Sequence, residues 1–77
     1  MNKSRRKAIG DIYDKLIDIQ SDLECIRDEE QEAFDNLPES IQYSERGERM
    51  EEYISSLEEA LDNVGYAVES LEEENFE

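Results

Sequence analysis

The sequence predicts an all-α protein, specifically an antiparallel two-helix hairpin of the coiled-coil type. Apolar residues recur at alternating steps of three and four in the first half of the chain and again in the second half. The only proline, Pro38, lies between these halves, and helices usually end at or before the residue that precedes a proline. Because two arms of nearly equal length on a short connector fold back on each other, we expect one domain over residues 1–77.

The first predicted helix runs from about residue 4 to about residue 35. Its seam consists of Ile9, Ile12, Leu16, Ile19, Leu23, Ile26, Glu30, Ala33 and Leu37. This spacing is that of heptad positions a and d, which face a partner helix in a coiled coil. Tyr13 and Phe34 widen the stripe on one flank. Asn2 or Ser4 is expected to cap the start, because either side chain can accept from a free backbone N–H.

A bend at about residues 36–43 contains Pro38, and we expect Asn36 to cap one short helical turn over residues 37–42 within it. Ser44 is the capping candidate for the second helix, which we expect at about residues 44–74. The seam of this helix consists of Met50, Ile54, Leu57, Leu61, Val64, Val68 and Leu71. Tyr53, Ala60 and Ala67 repeat every seven residues beside it.

The two seams match if the numbers of facing residues add up to about 80. Ala33 then faces Gly47 in a contact between two small residues, and Leu23 lies near Leu57. The same pairing brings the basic start (Lys3, Arg5, Arg6 and Lys7) beside the acidic end (Glu69, Glu72, Glu73, Glu74 and Glu77). Each cluster lies at the unfavourable end of its own helix dipole, so antiparallel neighbours offset the penalty.

Glu30 is the one acidic residue on the first seam. One interpretation is that it pairs with Arg27, Arg46 or Arg49. The other is that it sets the register of the helices, or belongs to a partner site, as polar seam residues do elsewhere.

A single hairpin has a thin core, so Tyr13, Phe34, Tyr53 and Tyr66 would stay partly exposed. Association of two copies into a four-helix bundle would cover them. We therefore expect a homodimer. The alternative is a monomer that keeps this surface for a different partner.

Composition argues against catalysis. The chain has no His and one Cys, and the carboxylates of a two-helix rod line no cleft of the kind that glycosidase chemistry needs. Di-iron bundles require His, and the acidic run 28–32 lacks the spacing of a calcium loop. No His is present to activate Cys25. We expect no catalytic, cofactor or metal site, and hence no enzyme.

The net charge of −15 disfavours direct binding to nucleic acid or to anionic membranes. No apolar run is as long as a membrane span, and the start lacks the hydrophobic stretch of a signal peptide. Cys25 is expected to be reduced, because one cysteine cannot form a disulfide within one chain. These features predict a soluble, cytoplasmic protein.

The acidic faces are the functional candidate. We select Asp28, Glu29, Glu32, Glu51, Glu58 and Glu59 as partner-binding residues. The 70 residues after Lys7 carry four basic and 23 acidic side chains, a net charge of −19. Over a helix length of about 45 Å this is one charge per ~2.4 Å, against about 1.7 Å in duplex DNA. Such a rod fits the basic groove of a nucleic-acid-binding protein, as an acidic inhibitor or mimic. A solvated surface that only maintains solubility, and a structural or assembly coiled coil, are the alternatives.

The stretch Arg27–Glu52 (RDEEQEAFDNLPESIQYSERGERMEE) resembles small, acidic, uncharacterised helical proteins of bacteria, especially Gram-positive bacteria, and of their phages and prophages. It covers about a third of the chain. The resemblance implies a short helical protein and assigns no activity or site residue. A phage setting favours an inhibitor of a host nucleic-acid enzyme or defence system.

Overall fold

The computed structural model describes residues 1–77 and contains helices but no β-strand. Two long helices, α1 (Lys3–Asp35) and α3 (Glu45–Ser70), are joined through the short helix α2 (Glu39–Gln42), and a 3₁₀ turn (Glu73–Phe76) follows α3. At 1.5 Å per residue α1 alone is about 50 Å long, while the whole molecule is 58 Å long. Because α1 already spans most of this length, α3 runs back beside it, and the two helices pack against each other. The all-α prediction is confirmed, and the rod is hairpin-like.

Side-chain caps define where both long helices begin. The Asn2 side chain accepts a hydrogen bond from the backbone N–H of Arg5 at 2.8 Å. The Ser44 hydroxyl accepts from the backbone N–H of Gly47 at 3.5 Å. Each cap satisfies one of the donors that a helix leaves free in its first turn. The predicted caps Asn2 and Ser44 are therefore confirmed.

The side chain of Gln42 links the bend to the end of α1. Pro38 is extended, with φ −55° and ψ 145°, and α2 begins at the next residue. The predicted capping of this turn by Asn36 is wrong, because the backbone N–H of Asn36 donates to carbonyls of α1 and Asn36 ends that helix. The side-chain amide of Gln42 donates to the carbonyl oxygens of Phe34 at 3.1 Å and of Leu37 at 3.3 Å. The carbonyl of Phe34 also accepts from the backbone N–H of Leu37 at 3.0 Å. Gln42 therefore adds a further donor to the last carbonyls of α1 and links α2 to this helix.

Gly47 is buried where α3 meets the backbone of α2. A Cβ atom at this position would lie 2.7 Å from the carbonyl oxygen of Ile41 and would overlap the carbonyl of Gln42. Ala33, which we predicted to face Gly47, is exposed. The glycine is therefore explained by the close approach of the α2 backbone.

The buried core comes from α3. Ile54, Leu61 and Val68 are 6, 9 and 8% exposed, and with Gly47 they form a series with seven-residue spacing. No residue of α1 is fully buried. The partly buried residues of α1 are Ile9, Tyr13, Leu16, Gln20, Leu23, Arg27, Glu30, Gln31 and Phe34.

The face that α1 turns towards α3 differs from the predicted seam. Ile12, Ile19 and Ile26 are 49, 46 and 51% exposed. The positions one residue further along, from Tyr13 to Phe34 at seven-residue steps, are partly buried instead. With 100° per residue, the packed face is rotated by about 50° from the predicted one. The reason lies at the bend, where Phe34 is partly buried. Residues seven positions apart lie on the same side of a helix, so an inward-facing Phe34 also turns residues 27, 20 and 13 towards α3.

The pairing along the rod is also shifted. A Cβ atom built on Gly65 would lie 3.7 Å from the side-chain nitrogen of Gln20. The predicted register placed Ala60 opposite Gln20. The observed neighbour is five residues further along α3, which is about one and a half turns.

The second long helix ends at Ser70, four residues before the predicted end. The Asn75 side-chain amide donates to the carbonyl oxygens of Glu69 at 3.0 Å and of Ser70 at 3.3 Å. The carbonyl of Glu69 also accepts from the backbone N–H of Glu72 at 3.4 Å, so Asn75 adds a side-chain donor to the last carbonyls of α3. Continuing the helix would also place consecutive glutamates at the negative end of the helix dipole, which is unfavourable.

Substitution of two of the three glycines by alanine should have opposite effects on stability. G47A should lower the free energy of unfolding by about 1–3 kcal/mol, because the new Cβ overlaps the α2 backbone. G10A should raise it by up to about 1 kcal/mol, because Gly10 lies in α1 with no other atom near its Cβ position. Urea unfolding at one protein concentration measures both, and a G47A protein as stable as the parent would contradict this account of the bend.

Candidate partner-binding surfaces

The acidic surface is almost unneutralised within the chain. The ion pairs are Lys7–Asp11 at 3.5 Å, Arg27–Asp28 at 3.0 Å and Arg49–Glu45 at 3.2 Å. Each pair lies within one helix, and none joins α1 to α3. Three of the 23 acidic side chains are therefore paired. The remaining carboxylates are available to cations from outside the molecule.

The six predicted partner-binding residues are all exposed: Asp28, Glu29, Glu32, Glu51, Glu58 and Glu59. On α1, the three lie on the surface turned away from α3. On α3, Glu51 and Glu58 share the seven-residue series of Gly65, which lies beside Gln20, while Glu59 lies further towards the back. The structure therefore separates them into two sets on different sides of the rod.

Two of these residues have local partners. The Arg27 guanidinium donates to Asp28 Oδ1 at 3.0 Å, and Cys25 Sγ donates to Glu29 Oε1 at 3.6 Å. Asp28 and Glu29 thus carry interactions within one turn of α1. A partner at this surface would replace or extend them.

Cys25 is a free, exposed thiol. The hydrogen bond to Glu29 and the charge of that carboxylate raise the pKa of the Cys25 thiol, with smaller contributions from burial and from the charges of Asp28 and Asp22. A raised pKa leaves less thiolate at neutral pH, and the thiolate is the nucleophile. We therefore expect the Cys25 thiol to react slowly with electrophiles at neutral pH.

Glu30 is partly buried on the face towards α3. Arg27 pairs with Asp28 and Arg49 with Glu45, and Arg46 forms no ion pair. The predicted pairing of Glu30 with one of these arginines is therefore not what the structure shows.

The charge density along the rod is lower than predicted. A net charge of −15 over 58 Å is one net charge per about 4 Å. The difference from ~2.4 Å arises because the rod is longer than about 45 Å and because the basic start lies beside the acidic end. Duplex DNA carries one charge per about 1.7 Å, so the mean density of this rod is less than half as high.

A groove of about 730 Å³ opens where the start of α1 meets the 3₁₀ turn. Its apolar lining consists of Ile9, Tyr13, Leu71 and Phe76, and its charged lining includes Lys3, Arg6, Lys7, Glu72, Glu73 and Glu77. The basic start and the acidic end therefore lie together, as the antiparallel pairing predicts. No ion pair within 4.0 Å joins them.

An apolar stripe on α1 is exposed in the structure, although the sequence pattern predicts that it belongs to the core. Ile12, Ile19 and Ile26 repeat every seven residues on α1, and each is about half exposed. The corresponding series on α3 is Tyr53, Ala60 and Ala67, in which Tyr53 is 56% exposed. Seven-residue repetition in the sequence was the available signal, although it cannot tell which apolar flank faces the neighbouring helix.

Both series lie on the same side of the rod. Gln20 lies beside Gly65, so these two residues mark one side. On α1, the inward-facing residues Leu16 and Leu23 separate Ile19 on one side from Gln20 on the other. On α3, the buried Leu61 and Val68 separate Ala60 from Gly65 in the same way. The six residues Ile12, Ile19, Ile26, Tyr53, Ala60 and Ala67 therefore form one surface opposite Gln20 and Gly65, called here the isoleucine face.

No group of three His, Cys, Asp or Glu side chains is arranged to hold a metal ion. None of the helices combines the length and the apolar composition needed to cross a membrane. Comparisons with protein-family models, with curated proteins and with solved structures return no match.

Replacing Glu29 by Gln should speed the alkylation of Cys25 at neutral pH. The substitution removes the carboxylate charge and replaces a group that only accepts by an amide that can also donate to the thiolate. The thiolate fraction therefore rises and the pH–rate profile moves to lower pH. Iodoacetamide alkylation followed by mass across a pH series measures the shift. E32Q is the matched control, because Glu32 is exposed on the same helix and does not contribute to the thiol's raised pKa. Equal profiles for E29Q and the parent would rule out this role of Glu29.

Proposed function

We propose that the protein is a non-enzymatic, acidic binding module for a basic protein. The observation that carries the proposal is that three of the 23 acidic side chains are paired within the chain. A net charge of magnitude roughly 2 to 8 suffices for the solubility of a small domain. The value of −15 goes well beyond that and costs stability through self-repulsion. A basic partner accounts for an excess that solubility alone does not require.

The specific form of this proposal is an inhibitor that acts in the cytoplasm as a nucleic-acid mimic, consistent with the resemblance to small acidic phage proteins. The mean charge density is well below that of duplex DNA, so mimicry depends on local clusters. Asp28, Glu29 and Glu32 form one such cluster within about one turn of α1. In this proposal two copies pair into a four-helix bundle, and the acidic surfaces of both remain outside.

The second candidate is a structural or assembly element, and the isoleucine face favours it. Half-exposed isoleucines at seven-residue spacing are typical of a helix surface that packs against another helix. The two candidates differ in their response to salt. Charge-driven binding weakens as the salt concentration rises, because ions screen exposed charges. Binding through apolar contacts does not weaken with salt.

Competition with DNA tests the mimic directly. The probe is a fluorescent DNA duplex bound to a histone-like architectural protein that has no sequence preference. Adding the acidic protein should lower the anisotropy of the duplex, and the effect should weaken steeply with salt, because the competing contacts are ionic. Failure to displace the duplex at low salt would contradict the mimic and favour the assembly candidate. Self-association of the isolated protein does not distinguish the two, because pairing of two copies is part of the mimic proposal as well.

Two triple substitutions identify the surface that is used. D28N/E29Q/E32Q and E51Q/E58Q/E59Q remove the same number of charges from α1 and from α3. Because an exposed pair contributes about 0–1 kcal/mol, loss of several contacts should weaken competition by about tenfold for the set in use. The other set is the matched control, and circular dichroism verifies that both keep their helices. Normal competition by both triple variants would contradict the assignment of these six residues.

A further inference from the structure

The isoleucine face differs in charge from the rest of the rod. On α3 it is bordered by Arg46, Arg49, Ser56, Asn63 and Ser70, which lie on the same side as Ala60 and Ala67 at helical spacing. Neither this border nor the apolar series of α3 contains an acidic residue. All eight acidic side chains of α3 lie on its other sides, in a helix of 26 residues.

The border on α1 is nearly as poor in acids. Ala8, Lys15, Asp22 and Glu29 flank the isoleucines on the outer side. With Arg46 and Arg49 from α3, the face and its borders carry three cations and two anions, and Glu45 pairs with Arg49 from beside the border at 3.2 Å. The other 21 of the 23 acidic residues lie elsewhere. One side of a strongly acidic rod is therefore apolar and close to neutral.

This charge distribution determines which kind of partner fits the isoleucine face. A basic protein would be drawn to the acidic sides, where the carboxylates are unpaired, and would find no complementary charge on the isoleucine face. Two copies of the chain, each with a charge of −15, repel each other on every other side. The isoleucine face is the side on which two copies can meet without facing carboxylates.

The rod exposes more surface than a compact protein of its mass. A compact monomer of 9.0 kDa exposes about 4,900 Å² by the general scaling of surface with mass. This chain exposes 5908 Å². The excess of about 1,000 Å² is spread over an elongated rod of 58 × 14 × 14 Å, and on the isoleucine face it includes three isoleucines and a tyrosine that are each about half exposed.

We infer that the isoleucine face is the interface on which a second copy of this chain docks. The inference rests on the proposed pairing of two copies and assigns it to one side of the rod. Ile12, Ile19 and Ile26 of one copy lie against the apolar surface of the other, with Tyr53 at its edge. The acidic sides of both copies then point outwards, where Asp28 and Glu32 stay free for a basic partner and Glu29 lies at the edge of the interface.

Sedimentation equilibrium of the full chain tests this interface with two matched pairs of variants. On α1, I19D alters the face, whereas I17D places the same charge at an exposed isoleucine on the other flank. On α3, Y53E alters the face, whereas Y66E alters a tyrosine outside it that is 67% exposed. Circular dichroism reports whether each variant keeps its helices. If a variant on one helix unfolds, the matched pair of variants on the other helix still tests the interface.

The parent chain should sediment at twice 9.0 kDa at micromolar concentration. I19D and Y53E should raise the dimer dissociation constant by about a hundredfold, because each dimer then holds two unpaired buried charges. I17D and Y66E should leave it unchanged. Added salt should strengthen the parent dimer by screening the repulsion between copies, whereas it weakens binding to a basic partner.

A monomeric parent chain would overturn the inference together with the proposed pairing. A parent dimer that I17D and Y66E weaken as much as I19D and Y53E would overturn the assigned face alone. Neither result depends on the competition with DNA, so failure of the acidic binding function is recognised separately.

Discussion

The contact between the backbone of α2 and Gly47 is the constraint on which the rest of the rod depends. Without a Cβ atom at this position, the carbonyls of Ile41 and Gln42 approach α3 closely. The side chain of Gln42 then reaches back to the carbonyls of Phe34 and Leu37. The last turn of α1 and the first turn of α3 are thus tied to the same short helix. Because helices are stiff, a rotation set at this end is carried along the rod.

That constraint explains which parts of the fold the sequence could predict. Helix existence follows from local signals, namely apolar periodicity, the caps Asn2 and Ser44, and Pro38 between the arms. The rotation of α1 does not, because apolar residues flank the Leu16–Leu23 line on both sides. Hydrophobicity favours Ile19 over Gln20, yet the bend turns the Gln20 side towards α3. Tertiary contacts at one end therefore overrule the more apolar pattern along the helix.

The candidate surfaces were predictable to a different degree. Exposure of the acidic residues follows from their charge, since an unpaired carboxylate is rarely buried. Their separation into two sets depends on the rotation of each helix, which the pattern alone left undetermined. The isoleucine face required the same information. A half-exposed Ile26 and a core isoleucine have the same periodicity in the sequence, and they differ only in what lies opposite them.

Pairing through the isoleucine face would couple stability to association. Only Ile54, Leu61 and Val68 form the buried core of one copy, and a small domain with one thin core is marginally stable. If only the folded chain associates, the free energy of unfolding rises with protein concentration. The acidic sides oppose folding through repulsion within a copy and oppose association through repulsion between copies. Screening by salt reduces both repulsions. High salt should therefore stabilise the free protein, whereas it weakens the binding of the same charges to a basic partner.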